Sequence, residues 1–287
     1  MTEETSKRSK AGHWQFALLA SGFLAACAVS PLASEQPSGV QEGKAAATAT
    51  ISQFDLGRPY LGGPLPGGER LIHPVPEAGS SRLAADEEAN AHALSLRGSA
   101  RWRLAARDAD LGDNWYGHAF SCAAGVEISP DKTPHIANLL RRAGTDFGMS
   151  TGAVKRQFQR ARPFMVNGEA SCTPQDEDAL RGNGSYPSGH SAMGYGTGLV
   201  LASLFPDRAA QLVARGRAYG NSRWVCNVHW LSDAEEGRTF AAATFARLGS
   251  NEDFRADLAA AQEEARGLKP PVDDDGTCSA EVAALGG

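Results

Sequence analysis

The chain has little of what marks several classes of protein. Aromatic residues make up only 7% of its 287 residues, and 28 Lys and Arg stand against 33 Asp and Glu, a net charge of −5. A nucleic-acid-binding protein would normally carry a basic face, so we expect no nucleic-acid partner. No run reaches the roughly 18 consecutive apolar residues of a membrane-spanning helix, which excludes a polytopic membrane protein. With 42% hydrophobic residues, the chain can nonetheless build a core.

Strand-like patterns and metal-binding patterns are missing as well. No stretch of any length alternates apolar and polar residues, whereas apolar residues at helical spacing recur from Leu83 onward. The sequence therefore predicts an all-α fold, a single helical-bundle domain over residues 55–268. No cysteine belongs to a C-x-x-C pair, and the histidines are not spaced around the cysteines as zinc ligands are, so we expect no structural zinc site.

The amino terminus has the features of an export signal. A positively charged start precedes a short apolar stretch over 16–26, which is typical of a secretory signal rather than of a membrane span. The sequence then reads Leu-Ala-Ala-Cys, which resembles the bacterial lipobox and makes Cys27 the residue expected to carry lipid. An ordinary cleaved signal with an incidental cysteine is the alternative. We thus predict a lipoprotein-type signal peptide over 1–26, a flexible tether over 27–54, and a periplasmic or cell-envelope protein that meets the membrane only through its lipid.

The four remaining cysteines fit this location. An even number of cysteines outside the cytosol predicts two disulfides, and three pairings are possible. The sequence does not choose among the pairings of Cys122, Cys172, Cys226 and Cys278. The last of them lies in a short tail rich in Pro and Asp over 269–287. A monomer and a homo-oligomer are both open.

Helices are predicted for most of the domain, after an irregular segment rich in Gly and Pro over 55–80. Two glycines one turn apart, Gly194 and Gly198, should let one helix pack closely against a neighbour. The predicted helices cover residues 83–106 with a break near 98, 114–128, 133–142, 151–161, 188–205, 207–220, 229–248 and 253–265.

The first segment with chemical potential contains Lys155 and Arg162. Seven residues are close to two helical turns, so both cations are predicted to lie on one face of a helix that Pro163 ends. Alone, such a pair is usually a solvated face.

The second segment is the octapeptide Gly184 to Ser191. Pro187 breaks the preceding chain, and Ser188 is placed to cap a helix whose first amides would face an anion. Gly189 would let the backbone approach that ligand. The alternative is a plain helix cap followed by an exposed His190.

The third segment is Ser222-Arg223, followed after five residues by His229 and then by Asp233. A His and an Asp four residues apart face each other on a helix, so the carboxylate can hold one ring nitrogen and leave the other free. Such an oriented histidine is a candidate nucleophile or base. An ordinary surface pair is the alternative.

In order, the three segments read K-x(6)-R-P, P-S-G-H and S-R-x(5)-H-x(3)-D, with 23 residues between the first two and 31 between the last two. This resembles the signature of the type 2 phosphatidic acid phosphatase superfamily, which includes bacterial non-specific acid phosphatases and vanadium haloperoxidases. The chain is most similar to the secreted class A acid phosphatases, over most of residues 80–265.

The resemblance implies hydrolysis of small phosphate monoesters through a phosphohistidine, with no metal site and no cofactor. By position, His229 would be the nucleophile, Asp233 would orient it, and His190 would be the general acid and base. The phosphate-binding residues would be Lys155, Arg162, Ser188, Gly189 and Arg223.

Three residues depart from that family's pattern. Ser191 replaces the usual Thr, and Trp224 is bulkier than the usual Val and could narrow the pocket. Glu236 replaces a small Ala, and it would weaken phosphate binding only if it faced the pocket. Three alternatives stay open: a lipid phosphate phosphatase at the membrane surface, a vanadate-dependent haloperoxidase, and a lipoprotein that binds phosphate without catalysis.

Overall fold

The structure, a computed structural model, describes residues 57–112, 116–269 and 276–286. The predicted signal peptide, the tether and Cys27 lie outside this range. The described residues contain helices and connecting loops and no strand, which confirms the predicted all-α class. None of the helices in these ranges is both long and apolar enough to cross a bilayer.

The helices are numbered here in chain order. They are α1 Ser81–Ser95, α2 Ala100–Arg107, α3 Ser121–Ala124, α4 Pro134–Ser150, α5 Gly152–Phe158, α6 Pro163–Asn167, α7 Glu177–Arg181, α8 Gly189–Leu204, α9 Ala209–Val225, α10 Leu231–Leu248, α11 Glu252–Arg266 and α12 Thr277–Leu285.

Helix α8 lies at the centre of the bundle, between α4, α9 and α10. Its glycines allow this close packing, as the sequence predicts. A Cβ on Gly194 would collide with the ring of Tyr219 on α9. A Cβ on Gly198 would come within 2.7 Å of the carbonyl of Leu212, which also belongs to α9. Helix α8 therefore packs closely along α9, and its first turn, which carries part of the candidate site, lies against Gly220 of α9.

The segment around the first motif folds differently from the prediction. Helix α5 ends at Phe158, and Gln159 adopts a left-handed conformation with φ of 44°. Pro163 begins α6 instead of ending a longer helix, because a proline without an N–H fits a first turn. The prediction that Lys155 and Arg162 share one helix face is therefore wrong, and a loop brings the two residues together.

Other helix boundaries also differ. The predicted helix over 114–128 is replaced by a short 3-10 turn over Tyr116–Phe120 and by α3, which ends at Gly125 in a left-handed conformation. Helix α9 continues to Val225 rather than ending near Gly220. Its last turn therefore carries Arg223.

Two disulfides are present, as the cysteine count predicts. They join Cys122 to Cys278 and Cys172 to Cys226. The first bond joins α12 to α3. Helix α12 lies in the predicted tail, where the sequence analysis suggested no helix.

Candidate active site

The candidate nucleophile His229 lies in the turn between α9 and α10 and is only 4% exposed. It precedes the first residue of α10, so the predicted arrangement of His and Asp on one helix face is not the one observed. Asp233, in the first turn of α10, reaches back instead. Its Oδ2 lies 3.2 Å from His229 Nδ1 and accepts the Trp230 amide at 2.8 Å. The predicted contact between the two side chains thus forms through a helix-capping arrangement.

The other ring nitrogen of His229 faces a cation. Nε2 lies 3.1 Å from Nη1 of Arg162, which can only donate, so Nε2 carries the lone pair and Nδ1 the proton. Burial lowers the pKa of His229 well below its ordinary value, and Arg162, Lys155 and Arg223 lower it further. These effects favour the neutral imidazole, whose lone pair on Nε2 faces the Arg162 guanidinium.

A residue that the motifs did not single out, Arg160, holds the far side of Asp233. Its guanidinium donates to Asp233 Oδ1 and to Asp86 Oδ2, each at 2.7 Å. Asp86 belongs to α1 and also accepts from the amide and hydroxyl of Ser232. Burial raises the pKa of Asp233, and the charge of Arg160 opposes that rise. Arg160 thereby helps to keep the carboxylate that orients His229 ionised.

Three cations surround the space beside His229. Nζ of Lys155 donates to the carbonyls of Gly184, at 2.8 Å, and Ser185, at 3.3 Å. Arg162 is 2% exposed, and its Nη1 also donates to the Val228 carbonyl at 2.9 Å. These carbonyl acceptors hold both charged groups in place before any ligand binds.

The third cation, Arg223, has spare donors. Its buried Nε and Nη1 have no hydrogen-bond partner within the described part of the chain. Buried donors without partners are costly, so an anion bound beside these two nitrogens would satisfy them. Burial lowers the pKa of Arg223 and lowers that of Arg162 to about 10, yet both stay charged at neutral pH. For Lys155, burial and the two arginines lower the pKa to about 7.

The start of α8 adds hydrogen-bond donors. Ser188 caps the helix as predicted, accepting the Ser191 amide at 3.1 Å, and its own amide donates to the Asp233 carbonyl at 2.9 Å. The amides of Gly189 and His190 precede the first intrahelical bond and are the ones that helix geometry leaves for an anion. Gly189 also packs closely on the end of α4, where a Cβ would come within 3.2 Å of the Gly148 carbonyl.

His190 is held from two sides. Its Nε2 lies 2.6 Å from the Asp108 carbonyl, an acceptor only, so Nε2 carries a proton and Nδ1 is the nitrogen that titrates. The ring stacks on Tyr219 with centroids 4.9 Å apart and planes 5° apart. Burial and the charge of Arg223 lower the pKa of His190 well below its ordinary value, and the Asp108 carbonyl opposes them.

The three departures from the family pattern occupy defined places. Glu236 lies beside His73, at 2.9 Å, and Arg82, at 3.1 Å, so this buried carboxylate is paired with neighbours on α1 and the preceding segment. The Trp224 ring is 6.2 Å from that of His92, on the α1 side of α9. Ser191 bonds the Ser188 hydroxyl and the Gly220 carbonyl.

The chain is similar to known proteins over most of its length. Residues 143–250, which include all three motifs, match the PAP2 superfamily. An acid phosphatase of Zymomonas mobilis is 38% identical over 215 residues, which cover 74% of this chain and 81% of that protein. A non-specific acid phosphatase of Salmonella typhimurium is 41% identical over 180 residues (62% of this chain, 72% of that protein), and one of Providencia stuartii is 38% identical over 200 residues (69% and 81%).

The eight residues that the motifs predicted are thus brought together around one site, and Arg160, Asp86 and Asp108 join them from outside the motifs. The chain belongs to the PAP2 superfamily and, within it, to the acid phosphatases.

Proposed function

We propose that the protein is an exported acid phosphatase that hydrolyses small phosphate monoesters through a phosphohistidine, without a metal ion. The observation that carries this proposal is the neutral, oriented imidazole of His229 beside three cations. Its Nε2 lone pair faces Arg162, and two buried nitrogens of Arg223, Nε and Nη1, have no hydrogen-bond partner among the described residues. A nucleophile and an anion-binding set share one space, as phosphoryl transfer requires.

The first step forms the N–P bond. The phosphoryl oxygens take over the Arg162 donor now directed at His229 Nε2, which frees that lone pair to attack phosphorus. As the N–P bond forms, the P–O ester bond breaks, and its electron pair goes to the leaving oxygen. His190 donates the proton on Nδ1 to that oxygen, and the alcohol departs. Asp233 stabilises the cationic ring that results.

The second step regenerates the enzyme. His190, now neutral at Nδ1, accepts a proton from water while the water oxygen attacks phosphorus. The N–P bond breaks, its electron pair returns to His229 Nε2, and phosphate leaves. Acid–base assistance of this kind is worth about 10²–10⁴-fold in rate.

The cations supply the charge stabilisation that a metal ion supplies in kinases. Negative charge is spread over the equatorial phosphoryl oxygens in the transition state. Lys155, Arg162 and Arg223, with the amides at the start of α8, are fixed around the place where those oxygens would lie. Fixed donors of this type typically contribute a few kcal/mol each to transition-state stabilisation.

Hydrolysis of p-nitrophenyl phosphate in EDTA tests this function. We expect full activity in EDTA and no turnover from His229→Ala, because that variant lacks the proposed nucleophile. Arg142→Lys, which alters an ion pair with Asp257, is a matched control and should keep wild-type activity. Activity lost in EDTA and restored by zinc or magnesium would overturn the metal-free mechanism.

We also propose that the protein is exported and anchored in the envelope by lipid on Cys27. The support is the charged and apolar amino terminus together with the Leu-Ala-Ala-Cys motif. The two disulfides suit an oxidising compartment. Cys27→Ser should convert a membrane-associated protein into an uncleaved or soluble one, as fractionation would detect. Recovery of the wild type as a soluble, unlipidated periplasmic protein would contradict the anchor.

A further inference from the structure

The third motif begins with Ser222, which has no role in the steps above. Its hydroxyl donates to Oδ2 of Asp108 at 2.6 Å. Arg215, one helical turn further back on α9 than Tyr219, binds the same carboxylate with two N–H groups, at 2.6 and 3.2 Å. The Asp108 side chain is therefore fixed to α9 by three hydrogen bonds.

The backbone carbonyl of Asp108 has a different partner from its side chain. Asp108 caps the carboxyl terminus of α2, where helix carbonyls lack intrahelical partners and carry partial negative charge. Its carbonyl accepts the proton of His190 Nε2 at 2.6 Å. One residue thus joins α9, through its side chain, to the imidazole of α8, through its backbone.

We propose that Asp108, held by Ser222 and Arg215, is a positioning residue for His190. The proposal rests on the general-acid role proposed above for His190. The bond from Nε2 to the carbonyl and the stacking on Tyr219 fix the orientation of the ring. Nδ1 is then the nitrogen left to bind the proton that the leaving group needs. Asp108 does for His190 through its backbone what Asp233 does for His229 through its side chain.

The surrounding charges fit a positioning role. Arg223 disfavours the protonated form of His190, whereas the Asp108 carbonyl favours it. Arg215 is 3% exposed and is also bound by Glu281 of α12 at 3.2 Å, and α12 is tied to α3 by a disulfide. Arg101 donates to the Ser222 hydroxyl at 3.0 Å from α2. The carbonyl is thus supported from both α2 and α9.

The test compares leaving groups. The value of kcat/KM covers the steps up to departure of the alcohol, so it reports the general acid without the later hydrolysis of the phosphoenzyme. For Ser222→Ala and for Arg215→Lys, kcat/KM should fall about tenfold or more on an alkyl phosphate such as glycerol 2-phosphate. On 2,4-dinitrophenyl phosphate, whose leaving group needs no proton, it should stay within about threefold.

A second readout is the pH profile. With the carbonyl misaligned, the protonated form of His190 loses support, so the alkaline limb of kcat/KM on the alkyl phosphate should move to lower pH. Arg142→Lys, a matched change in an ion pair elsewhere in the bundle, should alter neither the leaving-group ratio nor the limb. In a His190→Ala background, Ser222→Ala should add no further leaving-group preference.

Equal losses on both substrates, or a preference that persists without His190, would overturn the positioning role. Because Ser222→Ala removes a single oxygen, it tests the idea even if Arg215→Lys fails to fold. Wild-type protein inactive on both esters would instead overturn the proposed function itself, so the two failures are distinguishable.

Discussion

Lys155 should lose its charge as the pH rises through about 7, and the site should then bind anions more weakly. Burial is the main reason that its pKa falls from 10.5 to about 7, with Arg162 and Arg223 adding to the effect and Asp233 opposing it. A lysine is charged only below its pKa, so anion binding should be strongest below pH 7 and weaken above it. If binding requires the charged lysine, Kd should rise about tenfold between pH 6 and 8 and about ninetyfold between pH 6 and 9.

Sulfate is the suitable probe, because this tetrahedral dianion does not titrate in that range. Burial lowers the pKa values of His190 and His229 well below the ordinary value, which separates their titration from that of Lys155. Calorimetric titration of sulfate at half-unit steps from pH 6 to 9 would give the slope directly. Repeating it in buffers of different ionisation enthalpy would count the proton taken up on binding.

Two variants separate Lys155 from other causes. Lys155→Arg keeps a charge at all these pH values, so its Kd for sulfate should be flat. Lys155→Met should also be flat, but weaker than the wild type at pH 6. A wild-type Kd that does not change between pH 6 and 9, or a slope that survives in Lys155→Met, would refute this reasoning.

Two further predictions concern the support of the site. Arg160→Gln should destabilise the fold by about 3–5 kcal/mol in chemical denaturation, because it removes the cation bound to two buried carboxylates, Asp86 and Asp233. The acid limb of its kcat/KM profile should move to higher pH, since Asp233 loses the cation that lowers its pKa; an unshifted limb would contradict this. Gly194→Ala should cost about 1–3 kcal/mol by forcing a Cβ into Tyr219, whereas Gly182→Ala, with open space around it, should leave thermal unfolding unchanged. Equal effects of the two alanines would contradict the close packing of α8.

The motif residues could be predicted because their spacing in the chain is distinctive, but the backbone that joins them could not. Placing Lys155 and Arg162 on one helix assumes that no residue between them breaks it. Gln159 does so without being a glycine, with φ of 44°, and the chain then restarts at Pro163. Lys155 and Arg162 nonetheless both lie near His229, because the loop between α5 and α6 brings them together.

The supporting residues could not be found from sequence because their partners are distant along the chain. Arg160 meets Asp86 across 74 residues, and Asp108 meets His190 across 82. No local pattern reports such pairs, which depend on how α1 and α2 pack on α9 and α10. The cysteine pairing was open for the same reason, with partners 156 and 54 residues apart.

The most direct test of the mechanism is to trap the phosphoenzyme. Wild-type protein mixed with a ³²P-labelled aryl phosphate should be quenched in alkali, in which a P–N bond survives, then digested and mapped. We predict one label on His229, attached at Nε2, because Nδ1 is bound to Asp233. Label on any other residue, attachment at Nδ1, or turnover that persists in His229→Ala would contradict the account.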